Sequence, residues 1–226
     1  MQHLNGGHSL ILGYHGCDAT LARRLIMNER DELGQTVHLR ESQEHHDWLG
    51  TGVYFWVDSP ELAMGWAKMR ARDPNSPVKQ PAVVGALIRP GNLLNITTRD
   101  AHVELRKAFL IEQEIAHAYG IALPENEKDK DGEVRLRNRD RHIIEVVHQL
   151  REDKNREALD DGSLNPERGC YPPYDTVFGV YESGSAIFPG SSLRAHSHIQ
   201  IAVRASHNKH SNILAYFGVR GFTPCL

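Results

Sequence analysis

Leu49-Gly50-Thr51-Gly52-Val53-Tyr54-Phe55-Trp56, read with Gly13-Tyr14-His15-Gly16 upstream, decides how this chain is folded. Each stretch belongs to a short apolar run that reads as a strand, and each carries one polar ring next to glycine. Working outward, Leu10 to His15 reads as a buried strand, and Asp18 or Thr20 caps a helix running to about Glu32, with Leu21, Leu25 and Ile26 on one face. Leu33 to Asp47 is polar and without period, hence a loop. Beyond the second strand, Gly52 to Val57, Ser59-Pro60-Glu61 opens a helix, with a serine cap, proline in the first turn and an acid for the helix dipole. Leu62, Ala63, Trp66 and Met69 then follow at helical spacing until Pro74 and Pro77 end the run.

Ala82 to Ile88 reads as a third strand, closed by Pro90-Gly91. Two helices are expected next, Val103 to Ala118 and Arg139 to Lys154, separated by a loop at Pro124 to Asp131. Asp160 to Pro173 is turn-rich, and Thr176 to Tyr181, His198 to Arg204 and Ile213 to Phe217 return to strands. This order lacks regular strand–helix alternation, which points to an α+β class and not to a doubly wound parallel sheet. The chain is read as a single domain over 1–226, with the charged stretch 95–169 a helical insertion within it.

A hydrophobic content of 40% with 24% charged residues is that of an ordinary globular protein able to bury a core without disulfides or metal. The formal charge of −3 provides no general attraction to nucleic acid. Arg135-Leu136-Arg137-Asn138-Arg139-Asp140-Arg141 is a local basic patch, read first as a solvated face. Three cysteines, Cys17, Cys170 and Cys225, form no CxxC pair and leave one odd, as in a reducing compartment. The first eight residues lack the regions of a signal peptide, and no apolar run approaches the ~20 residues of a membrane span, so a cytoplasmic location without membrane association is expected.

In the strand His198-Ile199-Gln200-Ile201-Ala202-Val203-Arg204, the period of two puts His198, Gln200 and Ala202 on one face and the branched aliphatics on the other. One face carrying histidine and glutamine suits the wall of a polar cleft. In isolation His15, Tyr54, Trp66 and Gln200 are each ordinary strand or core residues; their ordered set carries the reading. Tyr14-His15-Gly16 resembles the strand-end histidine-glycine of the ADP-ribosyltransferase superfamily, in its histidine/tyrosine/glutamate branch of diphtheria-toxin-like and poly-ADP-ribose-polymerase-like enzymes. Gly50-Thr51-Gly52-Val53-Tyr54-Phe55 resembles that branch's glycine-x-glycine-x-tyrosine-phenylalanine strand, and Ala63-Met64-Gly65-Trp66-Ala67 the helix after it. The strands from His198 and from Ile213 are similar to the branch's last core pair, and Tyr174 to Glu182 looks like a segment of a bacterial group of such domains. The likeness covers the first third and last quarter of the chain.

The resemblance implies split antiparallel β-sheets with flanking helices, and NAD as substrate. It implies that His15 contacts the NAD ribose by donating to a hydroxyl, that Gly16 holds the nicotinamide carboxamide through its backbone, and that Tyr54 stacks on the nicotinamide with Trp66 lining the same pocket. Gln200 takes the place of the family's glutamate, and His198 faces the acceptor. Catalytic roles thus fall on His15, Tyr54 and Gln200. Glutamine binds a hydroxyl but brings no negative charge to an oxocarbenium-like centre. Polymer synthesis is therefore not expected, whereas mono-ADP-ribosylation of RNA, DNA or protein is, by a toxin or defence effector with an antitoxin or chaperone as potential partner. The alternatives are a non-catalytic NAD- or ADP-ribose-binding module, an NAD glycohydrolase or an RNA 2′-phosphotransferase. No metal is expected: His45-His46-Asp47 and His207-Asn208-Lys209-His210 lack zinc-ligand spacing. No GxSxG or phosphate-binding glycine loop occurs. Cys17 is set aside as a nucleophile because its side chain is read as diverging from that of His15.

Overall fold

A computed structural model describes residues 9–44, 47–130, 132–160, 171–204 and 212–224. The chain runs β1 (Ile11–Asp18), α1 (Ala19–Ile26), β2 (Val53–Val57), α2 (Pro60–Arg70), β3 (Pro81–Ile88), β4 (Leu93–Asn95) and α3 (Arg99–Tyr119). It continues with β5 (Glu127–Lys128), β6 (Val134–Leu136), α4 (Asn138–Asp160), β7 (Thr176–Tyr181), β8 (His198–Val203) and β9 (Ile213–Gly218). The class is α+β. Seven strands form one sheet in the order β4-β7-β8-β2-β1-β3-β9, and β5 and β6 form a separate hairpin.

Four expectations change in detail. The strands expected in split sheets form one continuous sheet of seven, beside the separate β5–β6 hairpin. The sheet is mixed and not wholly antiparallel, because β4 and β7 are parallel neighbours. Parallel neighbours need a crossover connection, and here the segment carrying α3, the hairpin and α4 supplies it. The stretch from Pro124, read as a loop, contains the short strand β5. The first helix also stops early: Met27 caps it and Asn28 turns the chain with φ 51°, so the residues to Glu32 are irregular. The turn-rich stretch 161–170, both histidine clusters apart from Asp47, Cys170 and Cys225 lie outside the described residues.

Local chemistry explains the termini. The Asp18 side chain accepts from Thr20 N–H to cap α1, and its other oxygen accepts from Lys79 and Gln80 N–H, tying the start of α1 to the entry of β3. Thr98 caps α3, which ends at Gly120 with φ 64°. One core lies where α1 covers the sheet, around Phe55, Val84, Ile88 and Ile201. A second lies where α3 and α4 cover it, around Leu49, Leu94, Val147 and Val177. The inserted helices thus share a core with the sheet.

The consequential irregularity is between β1 and β2. β1 pairs with β3 along its whole length, from Ile11↔Ile88 to Asp18↔Pro81. With β2 it pairs only at Gly13↔Val57 and Tyr14↔Trp56. Past Tyr14 the two strands part.

Candidate functional site

A cleft of about 850 Å³ opens where the strands part. It is aromatic: Trp48, Trp56 and Trp66, the only three tryptophans of the chain, line it together with Tyr54 and Tyr181. His15, His198 and Gln200 line it too. Five of the six residues singled out from sequence therefore share one cleft. Gly16 is the exception; it is buried beside His15 and does not form part of the cleft surface.

Strand parity shows what Gly16 offers instead. Its partner on β3 is Val83. The Val83 N–H donates to the Phe222 carbonyl and the Val83 carbonyl accepts from the Thr223 hydroxyl, so both point away from β1. Gly16↔Val83 is then a non-hydrogen-bonded pair, and the Gly16 N–H and C=O are directed toward β2. A continued ladder would place Tyr54 opposite Gly16. The Tyr54 carbonyl accepts instead from His15 Nδ1 at 2.7 Å. One imidazole replaces a stretch of backbone pairing and wedges the strands apart. A glycine is required here for another reason: a Cβ on Gly16 would run into the Ala63 carbonyl, because α2 lies directly on β1.

That bond also sets the tautomer of His15. A carbonyl only accepts, so Nδ1 carries the proton, and burial pushes the imidazole pKa down, leaving Nε2 bare. His15 therefore presents an acceptor to the cleft. The resemblance implied a donor at this position; the Tyr54 bond makes Nε2 an acceptor. His198 is built alike, with Nδ1 donating to the His196 carbonyl at 2.7 Å and burial lowering its pKa. Its ring stacks on Tyr181, with centroids 5.3 Å apart.

Tyr54 has more to do than present a ring. Its hydroxyl donates to the Gly50 carbonyl at 2.7 Å and accepts from Leu49 N–H at 2.9 Å, closing the turn that precedes its own strand. Burial and the nearby Asp47 carboxylate push the phenol pKa upward, so it stays protonated. Trp66, from α2, is half-buried beside His15 and Trp56, with ring centroids at 6.1 and 6.2 Å, and Arg70 lies over it.

Gln200 is 8% exposed, and its Oε1 accepts from the Trp48 indole at 2.6 Å. Because an indole N–H only donates, this contact fixes the carboxamide, with the NH₂ group left for the cleft. Nothing in the local sequence pattern singles out Trp48, which lies 152 residues from Gln200 along the chain. A signal was present in Gly179, inside β7, where a Cβ would come within 2.7 Å of the Trp48 ring. A lone glycine in a strand marks such close approach.

The arginine patch is not a solvated face. Arg137 lies over Trp48 and Tyr181 at 5.3 and 4.5 Å, Arg139 donates to the Pro124 carbonyl, and Arg141 donates to the Gln43 carbonyl. Arg135 is exposed and lines the cleft, as does Arg40. Carboxylates reach it too, from Glu41, Glu44 and Asp47.

Behind the cleft, α4 grips the Gly50–Thr51 turn. Glu145 accepts from Thr51 N–H and pairs bidentately with Arg204 at 3.1 Å, while Arg204 also donates to the Thr51 carbonyl. These bonds hold the Glu145 carboxyl down at about 2 against its burial. His148, one turn along α4, is 3% exposed, and burial beside Arg204 pushes it down to about 3.

Cys17 is excluded as a nucleophile on different grounds from those expected. Two residues apart on β1, Cys17 and His15 share a strand face. Cys17 is 4% exposed within the core, and burial pushes its thiol up to about 12. Among the described residues no group of three or more His, Cys, Asp or Glu is placed to hold a metal, and no helix is long and apolar enough to cross a membrane. Compared with protein-family models, with curated proteins and with solved structures, the chain gives no match.

Proposed function

We propose that this chain is a mono-ADP-ribosyltransferase, built on an ADP-ribosyltransferase-like fold, that transfers ADP-ribose from NAD to a macromolecular acceptor. The observation that carries the reading is the parting of β1 and β2 at His15–Gly16. It turns a strand's N–H and C=O toward a gap flanked by aromatic rings. A planar aromatic carboxamide needs one acceptor, one donor and a ring to stack on, and nicotinamide is such a ligand.

In this reading the Gly16 backbone holds the carboxamide while Tyr54 and Trp66 sandwich the ring. A ribose hydroxyl donates to His15 Nε2, and another accepts from the Gln200 NH₂ group. The glycosidic C–N electrons leave with nicotinamide, which becomes neutral, and the cation left at the ribose carbon is captured by an acceptor X–H that then loses its proton. His198, stacked on Tyr181, and the exposed Arg135 face the acceptor. An intracellular toxin or defence effector acting on nucleic acid or protein accords with this assignment.

One observation favours a second reading, a non-catalytic NAD- or ADP-ribose-binding module: the position opposite the ribose holds a neutral amide already engaged by Trp48. Incubating the purified protein with adenylate-labelled NAD and a cell lysate separates the two. Label in protein, RNA or DNA is the expected outcome and names the acceptor class. Free ADP-ribose alone would mean hydrolysis, and intact NAD would reject both enzymatic readings. Tyr54→Ala and Gln200→Ala should each lose most of the transfer; full activity in both would overturn the site.

A further inference from the structure

If the cleft breaks the nicotinamide–ribose bond, a positive charge develops at the ribose carbon, and β8 offers it only an amide. Among the described residues three carboxylates line the cleft, Glu41, Glu44 and Asp47, which precede Trp48 in the chain. Glu44 is exposed and Glu41 half-buried, whereas Asp47 is 4% exposed. A carboxylate shielded from water acts far more strongly on a nearby charge than a solvated one.

Asp47 is also held by hydrogen bonds to both sides. Its Oδ2 accepts from Glu44 N–H, its own N–H donates to the Glu44 carbonyl at 3.0 Å, and its carbonyl accepts from Gly50 N–H at 2.8 Å. The next residue, Trp48, holds Gln200. The negative charge is felt at the cleft's aromatic wall, where it raises the Tyr54 phenol pKa, with the Arg141 guanidinium partly opposing it.

We propose that Asp47 supplies the negative charge that Gln200 lacks, stabilising the cation at the ribose carbon as the glycosidic electrons leave with nicotinamide. This rests on the transferase reading above. The residue acts by its field and takes no proton: the acceptor's proton passes to solvent when the new bond forms.

The test uses Asp47→Asn, which retains an acceptor for the Glu44 N–H, together with Gln200→Glu and the double variant. Turnover of labelled NAD and NAD affinity by calorimetry are measured on each. Asp47→Asn should lose roughly 100-fold or more in turnover with NAD affinity retained. Gln200→Glu, whose new carboxylate still accepts from Trp48, should restore most of that loss in the double variant. Wild-type turnover in Asp47→Asn would overturn the assignment. A loss that Gln200→Glu does not repair would do the same, since it would mark Asp47 as a structural support of its turn. A wild-type protein that binds NAD and leaves it intact would instead reject the transferase reading itself.

Discussion

Gln200 shows how much a single contact decides. Had its carboxamide been turned over, the cleft would face a carbonyl oxygen; the Trp48 indole forbids that and presents a donor. His15 is set in the opposite sense, with a bare Nε2. In the proposed reading the pair meets two ribose hydroxyls in complementary ways, one donating and one accepting. Tyr54 combines a stacking face with a structural hydroxyl, and the two separate by mutation. Tyr54→Phe should keep NAD binding while losing about 1–3 kcal/mol of stability, read from a urea titration, because the Leu49 N–H and Gly50 C=O lose their partner. Strand parity made the shared face of His198 and Gln200 legible in the sequence. The Trp48–Gln200 bond was not legible, since nothing local links a residue at the end of a polar loop to a strand 152 positions away.

Two helices flank the parting of β1 from β2: α2 lies against Gly16, and α4 holds the Gly50–Thr51 turn. Gly16→Ala forces a Cβ against the Ala63 carbonyl, which α2 can relieve only by moving. A loss of roughly 1–3 kcal/mol or more in thermal or chemical denaturation is expected. Glu145→Ala leaves Arg204 and the Thr51 N–H without their shared carboxylate, and should cost about 1–3 kcal/mol of stability.

The same elements predict an acid-sensitive fold. His148, depressed to about 3, contributes stability that is complete above its ordinary value of 6.5 and is lost as pH falls from there toward 3. His15, also depressed by burial, adds to the upper part of that window. Glu145, held at about 2, contributes stability that is complete above its ordinary 4.5 and is lost from there toward 2. The denaturation midpoint should therefore fall steadily from neutral pH into acid. His148→Phe should flatten the portion above pH 4.5 while leaving the Glu145 portion. Helix and strand periods located most of these elements. The parallel β4–β7 pair escaped because Leu93–Asn95 is three residues long and pairs across the whole insertion.

For the molecule as a whole, one continuous sheet narrows to two residue pairs at β1–β2, and the aromatic cleft lies at that narrowing. The inserted helices are part of the same design, since α4 holds the turn in front of Tyr54 and the end of β6 brings Arg137 over Trp48 and Tyr181. In the proposed function the parted strands bind the nicotinamide half of NAD. An amide-resolved magnetic resonance titration with NAD, and with nicotinamide alone, reads that binding residue by residue. The Gly16 amide and the Trp66 indole should shift with both ligands, and the Gln200 side-chain NH₂ with NAD only. Saturating NAD that leaves these signals unmoved, or that moves only residues between α3 and α4, would contradict that binding.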